Sequence, residues 1–132
     1  MHRLALILGL LILTACSAGQ PQYAAQRQTV DDLTITLEQP QTVVALQDHD
    51  LFVTLADAQG KAVDGAVVFL DLAMPGMVMG VNQPIAEPQG GGRYHVRTVY
   101  SMDGDWIVTV HAKVGGKEHV ASFDQPVSPA QQ

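Results

Sequence analysis

From Leu33 onward, short runs recur in which every second residue is apolar, and each run is closed by Gly, Pro, Asp or Asn. LTITLE puts Leu33, Ile35 and Leu37 on one face and stops at Pro40. DLFVTLAD repeats the pattern with Leu51, Val53 and Leu55 before the turn Ala58-Gln59-Gly60-Lys61. Alternation with period two buries one face of a strand, and no long stretch carries the spacing of a helix. Residues 66–72 (AVVFLDL) are apolar on both faces, which predicts a central strand. Residues 81–87 contain Pro84, which predicts an edge strand. After the reversal Gly90-Gly91-Gly92 come Tyr94, Val96 and Thr98, then the turn Ser101-Met102-Asp103-Gly104, then Trp106, Val108 and Val110. Gly115-Gly116 turns the chain once more into 117–124. The reading is all-β: an immunoglobulin-like antiparallel β-sandwich of about seven strands, with Trp106 in its core and no internal repeat.

One of these connections has an unusual composition for a turn. Met74-Pro75-Gly76-Met77-Val78-Met79-Gly80 holds three of the five methionines, although an exposed loop has no core for them to fill. Two explanations stand. The thioethers fold back as a lid and plug an irregular gap, or they gather soft sulfur for a soft metal, Cu(I) first of all. Alternate connections of an antiparallel chain fall at the same end. The connection with Gln47-Asp48-His49-Asp50, the methionine loop and the turn at Met102 are therefore expected together, with His95 and His111 toward the other end. The candidate metal ligands are Met74, Met77, Met79, Met102 and His49. Met77 and Met79 lie closest in the loop, and Met102 would supply a third sulfur from the facing turn. For His49 an exposed loop position without a ligand role also stands. His95, His111 and His119 are expected on solvent faces of strands. Asp48, Asp50, Asp103 and Asp105 suit turns and strand ends and lack the spacing of a calcium loop.

The N-terminus reads as an export signal over 1–15: a basic start at Arg3, then twelve apolar or small residues, too few for a span of about 20. Leu13-Thr14-Ala15-Cys16 resembles a bacterial lipobox, so Cys16 is expected to become the diacylglycerol-bearing, N-acylated (palmitate-type) first residue of a lipoprotein. It is the only cysteine, which excludes an internal disulfide and a thiolate site. Residues 16–30 are expected to be the lipidated cysteine and a flexible tether, 31–127 the folded domain, and 128–132 a disordered tail. The expected place is the cell envelope, on the periplasmic face of a membrane. Ser17 in place of an aspartate after the cysteine favours the outer membrane if the cell has two. Thirteen Asp/Glu against seven Lys/Arg give a formal net charge of −6 and no basic patch, which argues against nucleic acid as a partner. A nucleophile elbow, a phosphate-binding glycine loop and a His-rich zinc motif are all missing, so the chain is not expected to be an enzyme.

The sequence resembles the YtkA-like/FixH-like family of small exported bacterial domains. The residues that carry the likeness are Asp57, Gly60-Lys61, Gly65-Ala66, the loop Met74 to Gly80, Gly92-Arg93-Tyr94 and Ser101-Met102-Asp103-Gly104-Asp105-Trp106. The resemblance implies an immunoglobulin-like sandwich, found alone, behind an anchor or fused to metal-efflux components. FixH-like relatives are associated with a cation-pumping ATPase and with assembly of copper-containing oxidases. Copper-transport or oxidase-assembly proteins are thus implied partners, beside the membrane reached through the lipid. This chain differs in having a lipobox where those relatives have a transmembrane helix. Two functions follow: a lipid-anchored module that binds or delivers copper, or an envelope interaction module whose methionine loop is a docking surface or a core lid.

Overall fold

The computed structural model describes residues 22–131. The signal-peptide reading and Cys16 lie outside the described residues. Eight strands form two antiparallel sheets, with no helix among the described residues: β1 (Tyr23–Val30), β2 (Leu33–Pro40), β3 (Asp48–Ala56), β4 (Val67–Ala73), β5 (Glu87–Gly90), β6 (Arg93–Val99), β7 (Gly104–Val114) and β8 (Lys117–Val127). One sheet has the order β1-β2-β3-β6-β5 and the other β4-β7-β8. Leaving β1 aside, this is the order of strands in the two sheets of a constant-type immunoglobulin domain. The all-β sandwich expected from alternation is the fold observed.

The alternating residues point where their period places them. Leu33, Ile35 and Leu37 of β2, Leu51, Val53 and Leu55 of β3, and Val108 and Val110 of β7 are buried between the sheets. Trp106, Tyr94 and Tyr100 are the largest fully buried side chains. Burying each aliphatic side chain of this kind contributes roughly 1.5–3 kcal/mol, which is why patterning alone fixes the register.

Four expectations need correction. Residues 23–30, read as tether, form β1, paired with β2 from Tyr23↔Pro40 to Val30↔Leu33. The five-stranded sheet overhangs the three-stranded one there, so the inner face of β1 meets the free edge of β8. Gln26 Nε2 donates to the Asp124 carbonyl (3.0 Å), and Gln28 Nε2 donates to the Ser122 carbonyl. The strand is thus held by its ladder and by polar side chains, which leave no apolar period to read. At the other terminus, Ser128 does not fray: its amide donates to Val43 O (2.8 Å) and its carbonyl accepts from Ala45 N (2.9 Å).

The third correction concerns β4, expected in the middle of a sheet and found at the side of one. Its outer edge is occupied by the irregular backbone of 82–86 in place of a regular strand. Leu72 N donates to Asn82 O (3.1 Å), Leu70 N to Pro84 O (3.0 Å), and Ala86 N to Val68 O (2.9 Å). Pro84 contributes only its carbonyl, the one backbone group it can offer. Fourth, His119 faces inward with Ala121, Phe123 and Gln125 instead of toward solvent. Its Nδ1 lies 3.5 Å from Asp31 Oδ2 without a hydrogen bond. His95 and His111 do take solvent faces, with ring nitrogens 2.7 Å from Asp50 and Glu118.

Candidate functional site

The strand order sends three connections to one end of the sandwich: 41–47 after β2, 74–86 after β4, and 100–103 after β6. The Met74-Pro75-Gly76-Met77 turn closes with Met77 N donating to Met74 O (3.3 Å). Proline second and glycine third, with Gly76 at φ 76°, make it a type II turn. The loop then returns to β4 at Asn82, so the segment between is a projecting finger.

This finger leans on the neighbouring turn. The Met74 methyl lies over Gly104, where a Cβ would stand 2.5 Å from Cε, and Gly104 itself holds φ 130°, a conformation that favours glycine. The turn itself is seated on the core: Trp106 Nε1 donates to Met102 O (3.0 Å). Tyr100 packs edge-on against Trp106, with ring centroids 5.2 Å apart, and its hydroxyl donates to Gln39 Oε1 (3.2 Å). Burial pushes the Tyr100 hydroxyl well above the ordinary phenol range. The first connection joins the same platform, because Leu46 N donates to Tyr100 O (2.8 Å).

The four methionines divide into two pairs. Met74 and Met79 are half-buried and pack against the core cluster, as a lid would. Met77 and Met102 are 50% and 39% exposed, one on each of two adjoining connections. The adjacency of Met77 and Met79 in sequence therefore does not place their sulfurs in one environment. Val78 between them is fully exposed.

His49 falls at this end but inside β3 and buried. Its Nε2 sits 2.8 Å from Val44 O and 3.2 Å from Val44 N. A neutral ring protonated on Nε2 donates to that carbonyl, which commits the nitrogen to the backbone of its own loop. Among the described residues no group of three His, Cys, Asp or Glu side chains is arranged to hold a metal ion. The remaining soft donors at this end are thioethers, whose neutral, polarisable sulfur prefers soft monovalent ions to Zn(II), Mg(II) or Ca(II). Beside the loop, a shallow cleft of about 330 Å³ is lined by Pro75, Trp106, Asp105 and Pro126 among others.

The opposite end is built differently. Asp57 Oδ1 accepts from Gln59 N (3.0 Å) and Lys61 N (2.9 Å), and Asp64 Oδ1 accepts from Gly92 N (2.8 Å). The Tyr94 hydroxyl donates to Val63 O (2.9 Å) and accepts from Ala66 N (3.1 Å). Alternation and turn signals marked Tyr94 and the turns at Gly60 and Gly92, and the resemblance marked Asp57, while nothing in the sequence marked Asp64; together these residues tie the long 57–66 connection to β6.

No curated protein and no solved structure matches the chain. The model of one family, described as YtkA-like, matches residues 27–111. The matched span runs from within β1 into β7 and takes in both the bonded turns of the far end and the methionine-bearing connections. The chain belongs to the YtkA-like family.

Proposed function

We propose that this chain is a cell-envelope binding module, anchored through lipid on Cys16, that binds Cu(I) as cargo through the thioethers of Met77 and Met102. The observation that carries the reading is that two half-exposed methionines stand on connections distant in sequence that meet where Met74 lies against Gly104. The donor set fits a soft ion: neutral sulfurs need no deprotonation, and a two-sulfur site on mobile side chains exchanges its ion readily, as delivery requires. His49 is held by Val44 and is not counted among the ligands. The implied recipients are copper-transport or oxidase-assembly proteins of the same membrane.

A second reading rests on Met74 and Met79, which pack on the core as a lid. On that reading the finger is a protein-docking surface and its sulfurs are incidental. Titration of Cu(I) against a chromophoric chelator separates the two, using wild type, Met77→Leu, Met102→Leu and a variant with all four mature methionines changed to Leu. Leucine keeps the volume, so folding should change by less than about 1.5 kcal/mol. The copper reading expects each single change to weaken Cu(I) retention and the fourfold change to abolish it. Equal retention by wild type and the fourfold variant would leave the docking module in its place.

A further inference from the structure

The chain enters the sandwich at the methionine end. Tyr23 pairs with Pro40, and Gln41 N donates to Gln22 O (2.8 Å), so Gln22 lies beside the first of the three connections there. This end also carries most of the exposed large apolar side chains. Of nine among the described residues, Leu46, Met77, Val78, Val81, Val99 and Met102 sit on or next to these connections. Leu46 is 67% exposed and adopts φ 64°, a left-handed conformation that costs a non-glycine residue about 1–2 kcal/mol. In the free domain its side chain gains no burial in return.

From these observations we infer that the methionine end rests against the lipid bilayer, with Leu46 and Val78 in contact with its interfacial region. The inference rests on the anchoring of Cys16. Six peptide steps separate Cys16 from Gln22, which span at most about 20 Å however they run. The sandwich is longer than that, since the eleven residues of β7 alone extend about 36 Å. A chain anchored at Cys16 and entering at this end cannot turn its far end to the membrane, because the tether is shorter than the domain. The residues held next to the lipid are therefore the exposed apolar ones. The far end, kept away from it, presents Asp31, Lys61 and Lys117, all exposed. Asp48, Asp103 and Asp105 lie among the apolar residues of the docking end and are also exposed. Like charges repel, so the surface it fits is zwitterionic rather than anionic.

The test uses the full lipidated chain in phosphatidylcholine vesicles, with acyl chains either plain or brominated. Val78→Trp places a fluorophore on the proposed contact, and Lys61→Trp places one at the far turn. Both positions are exposed and tolerate the change, and Trp106 is a buried background common to both. The expected result is a blue shift and a loss of most of the added emission for Val78→Trp with brominated lipid, and neither effect for Lys61→Trp. Protein that floats with vesicles while both added indoles stay unquenched would overturn the orientation and leave the anchor standing. A blue-shifted Val78→Trp emission before vesicles are added, unchanged by brominated lipid, would overturn it in favour of cover by protein. Protein that fails to float would overturn the anchoring and the orientation together.

Discussion

The turns at the two ends of the sandwich solve different problems. At the far end, Asp57, Asp64 and Tyr94 spend their polar groups on backbone amides and carbonyls, and the connection they hold has no orphaned role left to explain. At the methionine end, Trp106 and Tyr100 make a similarly firm floor, but the side chains above it, Met77, Val78, Met102 and Leu46, stand in solvent. Family-motif residues occur at both ends. In one place they are accounted for by folding, and in the other only their supports are. An exposed cluster of apolar and sulfur-bearing side chains on a rigid floor is what a binding surface requires, since loops on a stable scaffold are where recognition residues concentrate.

The largest effect that would sharpen this contrast is expected at the floor. Trp106→Ala should lower unfolding stability by about 3–5 kcal/mol, because it empties a buried aromatic site and removes the donor to Met102 O. A near-wild-type denaturation midpoint would mean the methionine turn is not seated on the core. The far end should respond next. Tyr94→Phe removes both bonds between β6 and 63–66, and urea unfolding should show a loss of about 1–2 kcal/mol. No loss there would break the claim that the far-end motif serves folding.

The smallest of these effects depends on pH. The buried Tyr100 keeps its proton in the folded state above the pH at which the unfolded phenol ionises, near 10. Its contribution is therefore fully present below about pH 10 and is lost as pH rises toward the raised folded value. The stability advantage of wild type over Tyr100→Phe should shrink by about 1 kcal/mol per pH unit above 10. An advantage independent of pH between 9 and 11 would show that the hydroxyl is not buried as described.

Much of this was legible in the chain. Alternation placed β2, β3, β6 and β7, fixed Trp106 inside, and by parity brought the methionine connections to one end. What escaped did so for identifiable reasons. Residues 23–30 carry no apolar period because glutamine side chains, bonded to the edge of β8, do the holding. AVVFLDL looked central because Phe69 is apolar on the outer face, yet that ring stacks on His111 at 4.4 Å while β4 lies at the side of its sheet. The split among the methionines was not readable, since it depends on the path of the finger across Gly104. Nor was the capture of His49 by Val44, which a linear spacing does not reveal.

The most direct test follows the methyls of Met74, Met77, Met79 and Met102 individually. Protein labelled with [methyl-13C]methionine would be titrated with Ag(I), a redox-stable stand-in for Cu(I), and the resonances assigned by the single Leu substitutions. The account predicts that the Met77 and Met102 methyls shift first and together, at substoichiometric metal, while Met74 follows weakly or not at all. No shift at any methionine, or a shift at Met74 and Met79 with Met77 and Met102 unmoved, would contradict it.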